Sequence, residues 1–113
     1  MRSEELLQET LKQAGVPVRE YEYLGRAPEY IVINEEDERG TLHADDMPQA
    51  IAVWWQVHLF APETSDYRKR KRQIRRLLLE AGFLTGDTDI MFEKDTKTVH
   101  VVITCGIDEE MEE

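Results

Sequence analysis

The stretch Gln49–Pro62, QAIAVWWQVHLFAP, constrains the fold more than any other part of the chain. Ile51, Val53, Trp55, Val57 and Leu59 occupy alternate positions, and Ala52, Trp54, Gln56, His58 and Phe60 occupy the others. A period of two sends these sets to opposite faces of a β-strand. One face is wholly apolar and belongs to a core. The other is mixed, which predicts a central strand whose second face is partly covered by a helix or a partner. Adjacent Trp54 and Trp55 must point to opposite faces. One of them therefore lies outside the primary core, at a place suited to an interface.

The remaining segments supply elements to flank this strand. Leu7, Leu11 and Ala14 recur at helical spacing behind Ser3, a candidate cap, with Glu4 and Glu5 in the first turn. Gly15 and Pro17 stop that helix. VREYEYLG reads as a half-exposed strand and APEYIVIN, Ala27–Asn34, as a second. Acidic EEDERGTLHADDMP, Glu35–Pro48, reads as a long loop or as strand ends extended around a loop. Thr64 or Ser65 is placed to cap a second helix that Gly82 ends, with Tyr67, Ile74, Leu77, Leu78 and Ala81 as its apolar stripe. Ile90 and Phe92 mark a further strand, and Val99, Val101, Ile103 and Cys105 mark the last, joined through EKDTKT.

The order is α-β-β-β-α-β-β. It predicts an α+β fold, a mainly antiparallel sheet of about five strands with two helices packed on one face. At 113 residues the chain is one domain, long enough to bury a core without disulfides or metals. We assign residues 1–107 to that domain and 108–113 to an acidic disordered tail.

Charge is distributed unevenly. The formal net charge is -10, from 14 Lys and Arg against 24 Asp and Glu. Arg68–Arg76 holds seven of those bases and no acid. A basic block on an acidic background disfavours general coating of nucleic acid and favours charge contacts with a partner, including a second copy. The candidate contact residues are Arg68, Lys69, Arg72, Arg75 and Arg76 on one side and Glu35, Glu36, Asp37, Asp45 and Asp46 on the other.

No spacing of nucleophile, base and acid, no phosphate-binding Gly loop and no dinucleotide fingerprint occurs. We expect a non-enzyme without cofactor. The acids of Glu35–Asp46, with His43, match neither a calcium loop nor a zinc motif, so no metal is expected. His58 and His100 fall opposite the apolar faces of their strands and read as surface or interface residues. Cys105, the single cysteine, reads as a packed thiol, in keeping with a reducing compartment. The charged N-terminus does not read as a secretory leader, and no apolar run approaches a membrane span. These features point to the cytoplasm at synthesis and to no membrane partner.

The run YIVINEEDERGTLHADDMPQAIAVWWQVHLFAPETSDYRKRKRQIRRLLLEAGF, followed by FEKDTKTVHVVI, resembles the tail-terminator (tail-completion, head-tail joining) proteins of siphovirus-type bacteriophages and prophages. The resemblance covers roughly Leu6–Ile103. It implies a small sheet domain with two helices that assembles into a ring, typically a hexamer. The ring caps the head-proximal end of the tail tube, stops tube polymerisation and meets head-completion proteins at the virion head–tail interface. DNA passes through its lumen without being read, and no catalytic residue is implied. Two alternatives stand beside it: another neck or head-closure component, and an RNA-binding adaptor domain. The order helix, three strands, basic helix is similar to the double-stranded RNA-binding domain, but that domain ends where two further strands follow here.

Overall fold

The computed structural model describes residues 2–44 and 47–110. The elements are α1 (Ser3–Lys12), β1 (Val18–Glu20), β2 (Tyr30–Ala44), β3 (Met47–Pro62), α2 (Tyr67–Glu80), β4 (Leu84–Glu93) and β5 (Thr98–Glu110). They form one sheet in the order β1-β2-β3-β5-β4. β1 runs parallel to β2, and every other pairing is antiparallel. This is the expected α+β architecture with the expected element order.

β3 lies at the centre, as its alternation requires. Val53, Trp55, Val57 and Leu59 are buried on the helix side. Leu7, Leu11 and Ala14 of α1 and Ile74 and Leu78 of α2 join them, with Ile31, Ile33, Val101, Ile103 and Cys105, in a single core. Each fully buried Leu or Ile contributes about 1.5–3 kcal/mol. Burial pushes the Cys105 thiol up to about 12, so it stays protonated and inert.

The caps differ from the sequence expectation at both helix starts. Ser3 is the first residue of α1, not its cap, and no side chain of Arg2 fills that role. Glu109 does so from β5: Ser3 N donates to its Oε1 at 2.8 Å and Ser3 Oγ to its Oε2 at 3.2 Å. Trp55 Nε1 donates in turn to Ser3 Oγ at 3.1 Å. Orphan donors and a positive helix pole draw in a carboxylate that local sequence does not supply. Asp108–Glu110 continue β5 opposite Ala52–Ala50, and residues 111–113 lie outside the described part. At α2 the cap is Asp66, which accepts from Lys69 N, while Ser65 Oγ donates to Pro62 O.

The helix ends follow expectation. Gly15 and Gly82 have φ of 81° and 97°. Gly82 N donates to Leu79 O and Phe83 N to Leu78 O, closing α2 in a Schellman motif with Phe83 buried behind it.

Two strand assignments are corrected. The first strand stops at Glu20, because Tyr21 takes φ 68° and Glu22 N bonds Glu20 O in a γ-turn. The second begins at Tyr30, not Ala27. The acidic segment takes the extended-strand alternative. β2 and β3 continue as a hairpin to Ala44 and Met47, with register shifts between Glu35 and Asp37 and again beyond Gly40. The molecule is therefore long, 54 × 25 × 22 Å.

Trp54 lies on the side without helices, across from Gly106. A Cβ at Gly106 would approach the Trp54 ring to 2.6 Å, so only glycine allows the indole to lie against β5. Replacing the capping acid should be measurable in this small fold: Glu109→Ala is expected to cost about 1 kcal/mol. Urea denaturation checks it, and an unchanged midpoint would remove Glu109 from that role.

Candidate functional site

The described surface offers three places where side chains converge. The first is α2. No acid occupies its first turn, where the helix pole is positive, yet Arg68, Lys69 and Arg70 do. This arrangement opposes the helix dipole. Asp66 offsets it at the cap and Glu29 pairs with Arg70, while Arg68 and Lys69 remain exposed.

The bases separate into two sets. Arg70 is tied inward: its Nε donates to Glu29 Oε1 at 2.6 Å, and its Nη1 donates to Ala14 O and Gln73 Oε1. Arg75 is tied to β4, donating to Thr85 Oγ1 at 3.0 Å, Gly86 O at 3.2 Å and Thr88 Oγ1. It holds the bulge between Thr85 and Thr88. Of the five candidate bases, Arg75 is thus occupied within the fold. Arg68, Lys69, Arg72 and Arg76 line an open groove of about 810 Å³ with Glu29, Asp66, Arg70 and Gln73. Arg68 also lies over the Tyr67 ring at 4.7 Å. Arg76 reaches Glu80 at 3.9 Å, with both side chains exposed.

The acidic candidates gather elsewhere. Glu35 lines a shallow pocket with Glu4, Glu20, Glu38 and Glu109, beside Arg2 and Ser3. Glu36 is exposed, and Asp37 Oδ1 accepts from Glu38 N at 2.8 Å at the bulge. Asp45 and Asp46 lie outside the described residues. Burial, then the nearby Glu4 and Glu35, raises the Glu20 carboxyl above its ordinary value. This pocket adjoins the start of α1, whereas Arg70 binds Ala14 just past its end. The two charge sets are therefore parted by the length of α1, about 15 Å at a helical rise of about 1.5 Å per residue. The fold does not bring them together within one subunit.

The third place was not legible as a site in the sequence. On the side of the sheet without helices, Tyr23, Tyr30, Phe60 and His100 stack in series at centroid separations of 4.4, 4.9 and 4.2 Å. The register places Phe60 opposite both Tyr30 and His100. Alternation placed His58, Phe60 and His100 on this face, but the cross-strand register that stacks them is a tertiary property. Tyr30 and Phe60 have both ring faces covered, so this row is a cross-strand ladder standing on edge. A platform for nucleobases needs free ring faces. Glu22 also lines the pocket in front of it, and Glu93 raises the Tyr30 hydroxyl pKa after burial has done so.

Two histidines extend the ladder. Asn34 Nδ2 donates to Gln56 Oε1 at 3.2 Å, which leaves Asn34 Oδ1 to accept from His58 Nε2 at 2.6 Å. His58 Nδ1 is then the acceptor for His100 Nε2–H at 2.8 Å. Burial and then His100 lower the pKa of His58; burial lowers that of His100 against an upward pull from Glu93. Protonating His58 at Nδ1 would set two N–H groups against each other.

Among the described residues, no group of three or more His, Cys, Asp or Glu is arranged to hold a metal ion. No helix among them is long and apolar enough to cross a membrane. No protein-family model and no curated protein matches the chain.

The histidine pair predicts a pH dependence. Lowered folded-state values mean that the unfolded chain takes up protons first. Stability is complete above the unfolded value, about 6.5, and is lost as pH falls toward the folded values. The urea midpoint is expected to drop between about pH 7 and pH 5. In His58→Gln, which keeps a donor and an acceptor in place, the drop should be shallower. Equal slopes in the two proteins would contradict the assignment.

Proposed function

We propose that this protein is a structural subunit of the phage tail-terminator type, not an enzyme. It assembles with copies of itself into a ring, typically a hexamer, at the virion head–tail interface. The ring ends the tail tube, meets the tube protein on one side and a head-completion protein on the other, and lets DNA pass without reading it. The sequence resemblance motivates this reading. The observation that carries it is the separation of charge: exposed Arg68, Lys69 and Arg72 at one end of α1, and Glu35, Glu36 and Glu38 at the other.

Complementary patches that one subunit cannot join within itself favour a head-to-tail contact between copies. Such a contact uses two different surfaces and closes into a ring when its rotation allows. Acids left on the lumen would repel DNA and ease its sliding. An RNA-binding role is less well supported. The basic groove lies on the helix side and the aromatic row on the other, so one strand of RNA would not meet both. The aromatic row also has acids beside it.

Arg68→Glu with Arg72→Glu alters the free bases and spares Arg70 and Arg75, which hold the fold. Self-association at low salt is expected to weaken at least about tenfold, the loss of a few charged contacts. Glu35→Lys with Glu36→Lys in a mixed partner should restore it, with light scattering as the readout. In tail assembly without the protein, overlong tubes that fail to join heads are expected. Tubes of normal length would overturn the reading.

A further inference from the structure

β4 forms one edge of the sheet. β4 bonds only β5, so its other side carries unpaired backbone groups. Natural edges are blunted with charged side chains, above all Lys, and with Pro, bulges or short length, and the charges of β4 are the acids Asp87, Asp89 and Glu93. β4 contains no Lys, Arg or Pro. Its one bulge, pinned by Arg75, ends at Thr88, and Asp89–Glu93 beyond it pair regularly with Val102–Thr98. Ile90, Met91 and Phe92 in this regular part are 49, 45 and 49 % exposed, all large apolar side chains.

The two sides of this edge differ. Ile90 and Phe92 pair with core-facing Val101 and Val99, so they lie on the helix side. Asp89, Met91 and Glu93 lie on the other, Met91 opposite His100. An incoming strand would therefore set apolar residues beside Ile90 and Phe92. On the opposite side it would set a base beside Asp89, an apolar residue beside Met91 and a second base beside Glu93.

We infer that β4 accepts an added strand from a different protein, a five-residue segment that begins and ends in Lys or Arg with three apolar residues between. A second copy does not fit. Among the described strands the only Lys or Arg residues are Arg19 and Arg39, neither in such a pattern. The sheet is otherwise open at β1, which is only Val18–Glu20, and at β2 beyond its pairing with β1, which begins Asn34-Glu35-Glu36-Asp37-Glu38. Acids would face acids if β4 met that part of β2 or another β4, and like charges directly opposite are destabilising. Asp89 and Glu93 thus repel copies of this chain and attract a basic strand. The inference concerns a surface apart from α2 and stands whether or not copies form a ring.

The test uses the full chain and two capped peptides, KVLVK and EVLVE, which read the same in either strand direction. Backbone amide shifts of Asp89–Glu93 are followed by NMR at low salt. KVLVK is expected to move these amides and to bind at least about tenfold more tightly than EVLVE, a preference that salt reduces. Asp89→Lys with Glu93→Lys, both exposed, should reverse the preference. Equal response to both peptides overturns the inference, as does response confined to α2. Shifts at β4 that grow with protein concentration without peptide would assign the edge to a second copy and overturn it equally. Loss of ring assembly in the Arg68/Arg72 variant with peptide binding intact separates this inference from the proposed function.

Discussion

Thirteen successive pairs join β3 to β5, from Ala50↔Glu110 to Pro62↔Thr98, without a register shift. The other elements depend on this ladder. Its unbroken alternation puts Val53, Trp55, Val57 and Leu59 on the same side as Val99, Val101, Ile103 and Cys105, and so creates the surface on which both helices rest. A slip of one residue in β5 against β3 would turn Val99, Val101, Ile103 and Cys105 to the helix-free side. The same ladder delivers Glu109 to the start of α1 and seats Trp54 on Gly106. Irregularity is confined to its flanks, where β2 and β4 carry their bulges.

α1 couples this scaffold to the charge pattern. Its positive pole receives the Glu109 carboxylate and adjoins Glu4, Glu20 and Glu35. Past its other pole, Arg70 binds the Ala14 carbonyl. The macrodipole therefore agrees in sign with the side chains at both ends. α2 does the opposite, with three bases at its own positive pole. One helix stabilises the separation of charge; in the other, Asp66 caps the first turn and Glu29 offsets Arg70, while Arg68 and Lys69 stay exposed.

Much of this was legible in the sequence. Period-two alternation in Gln49–Pro62 identified the central strand, and the Ile74–Leu78 stripe identified the buried face of α2. Gly82 marked the α2 terminus because a positive φ strongly favours glycine there. What escaped were features set by contacts distant in sequence. Glu109 caps a helix more than one hundred residues away in sequence. Tyr21 breaks an apparently regular strand by its backbone angle alone. Arg70 and Arg75 look like their neighbours in the basic run, but they find acceptors in Glu29, Ala14 and the Thr85–Thr88 bulge. Composition reports a charge; only the fold reports whether it is already engaged. The histidine pair belongs to the same class, since alternation places each ring on a face and only register brings them to 2.8 Å.

The two faces of the sheet show why a buried-looking surface need not be a core. The helix side is closed by Leu7, Leu11, Ile74 and Leu78. The other side has no helix, yet Val32 and Val102 are each only 9 % exposed. Neighbouring side chains cover them: Tyr30, His58, Phe60 and His100 stand on edge in contact across three strands, and Trp54 lies over Gly106. A ladder of rings can shield a sheet without a second layer, because stacked rings exclude water from the valines between them. It leaves outward the ring edges and the polar chain from His100 through His58 to Asn34 and Gln56. Charge is left exposed elsewhere among the described residues: bases along the groove of α2, and the acids Asp89 and Glu93 on the edge of β4.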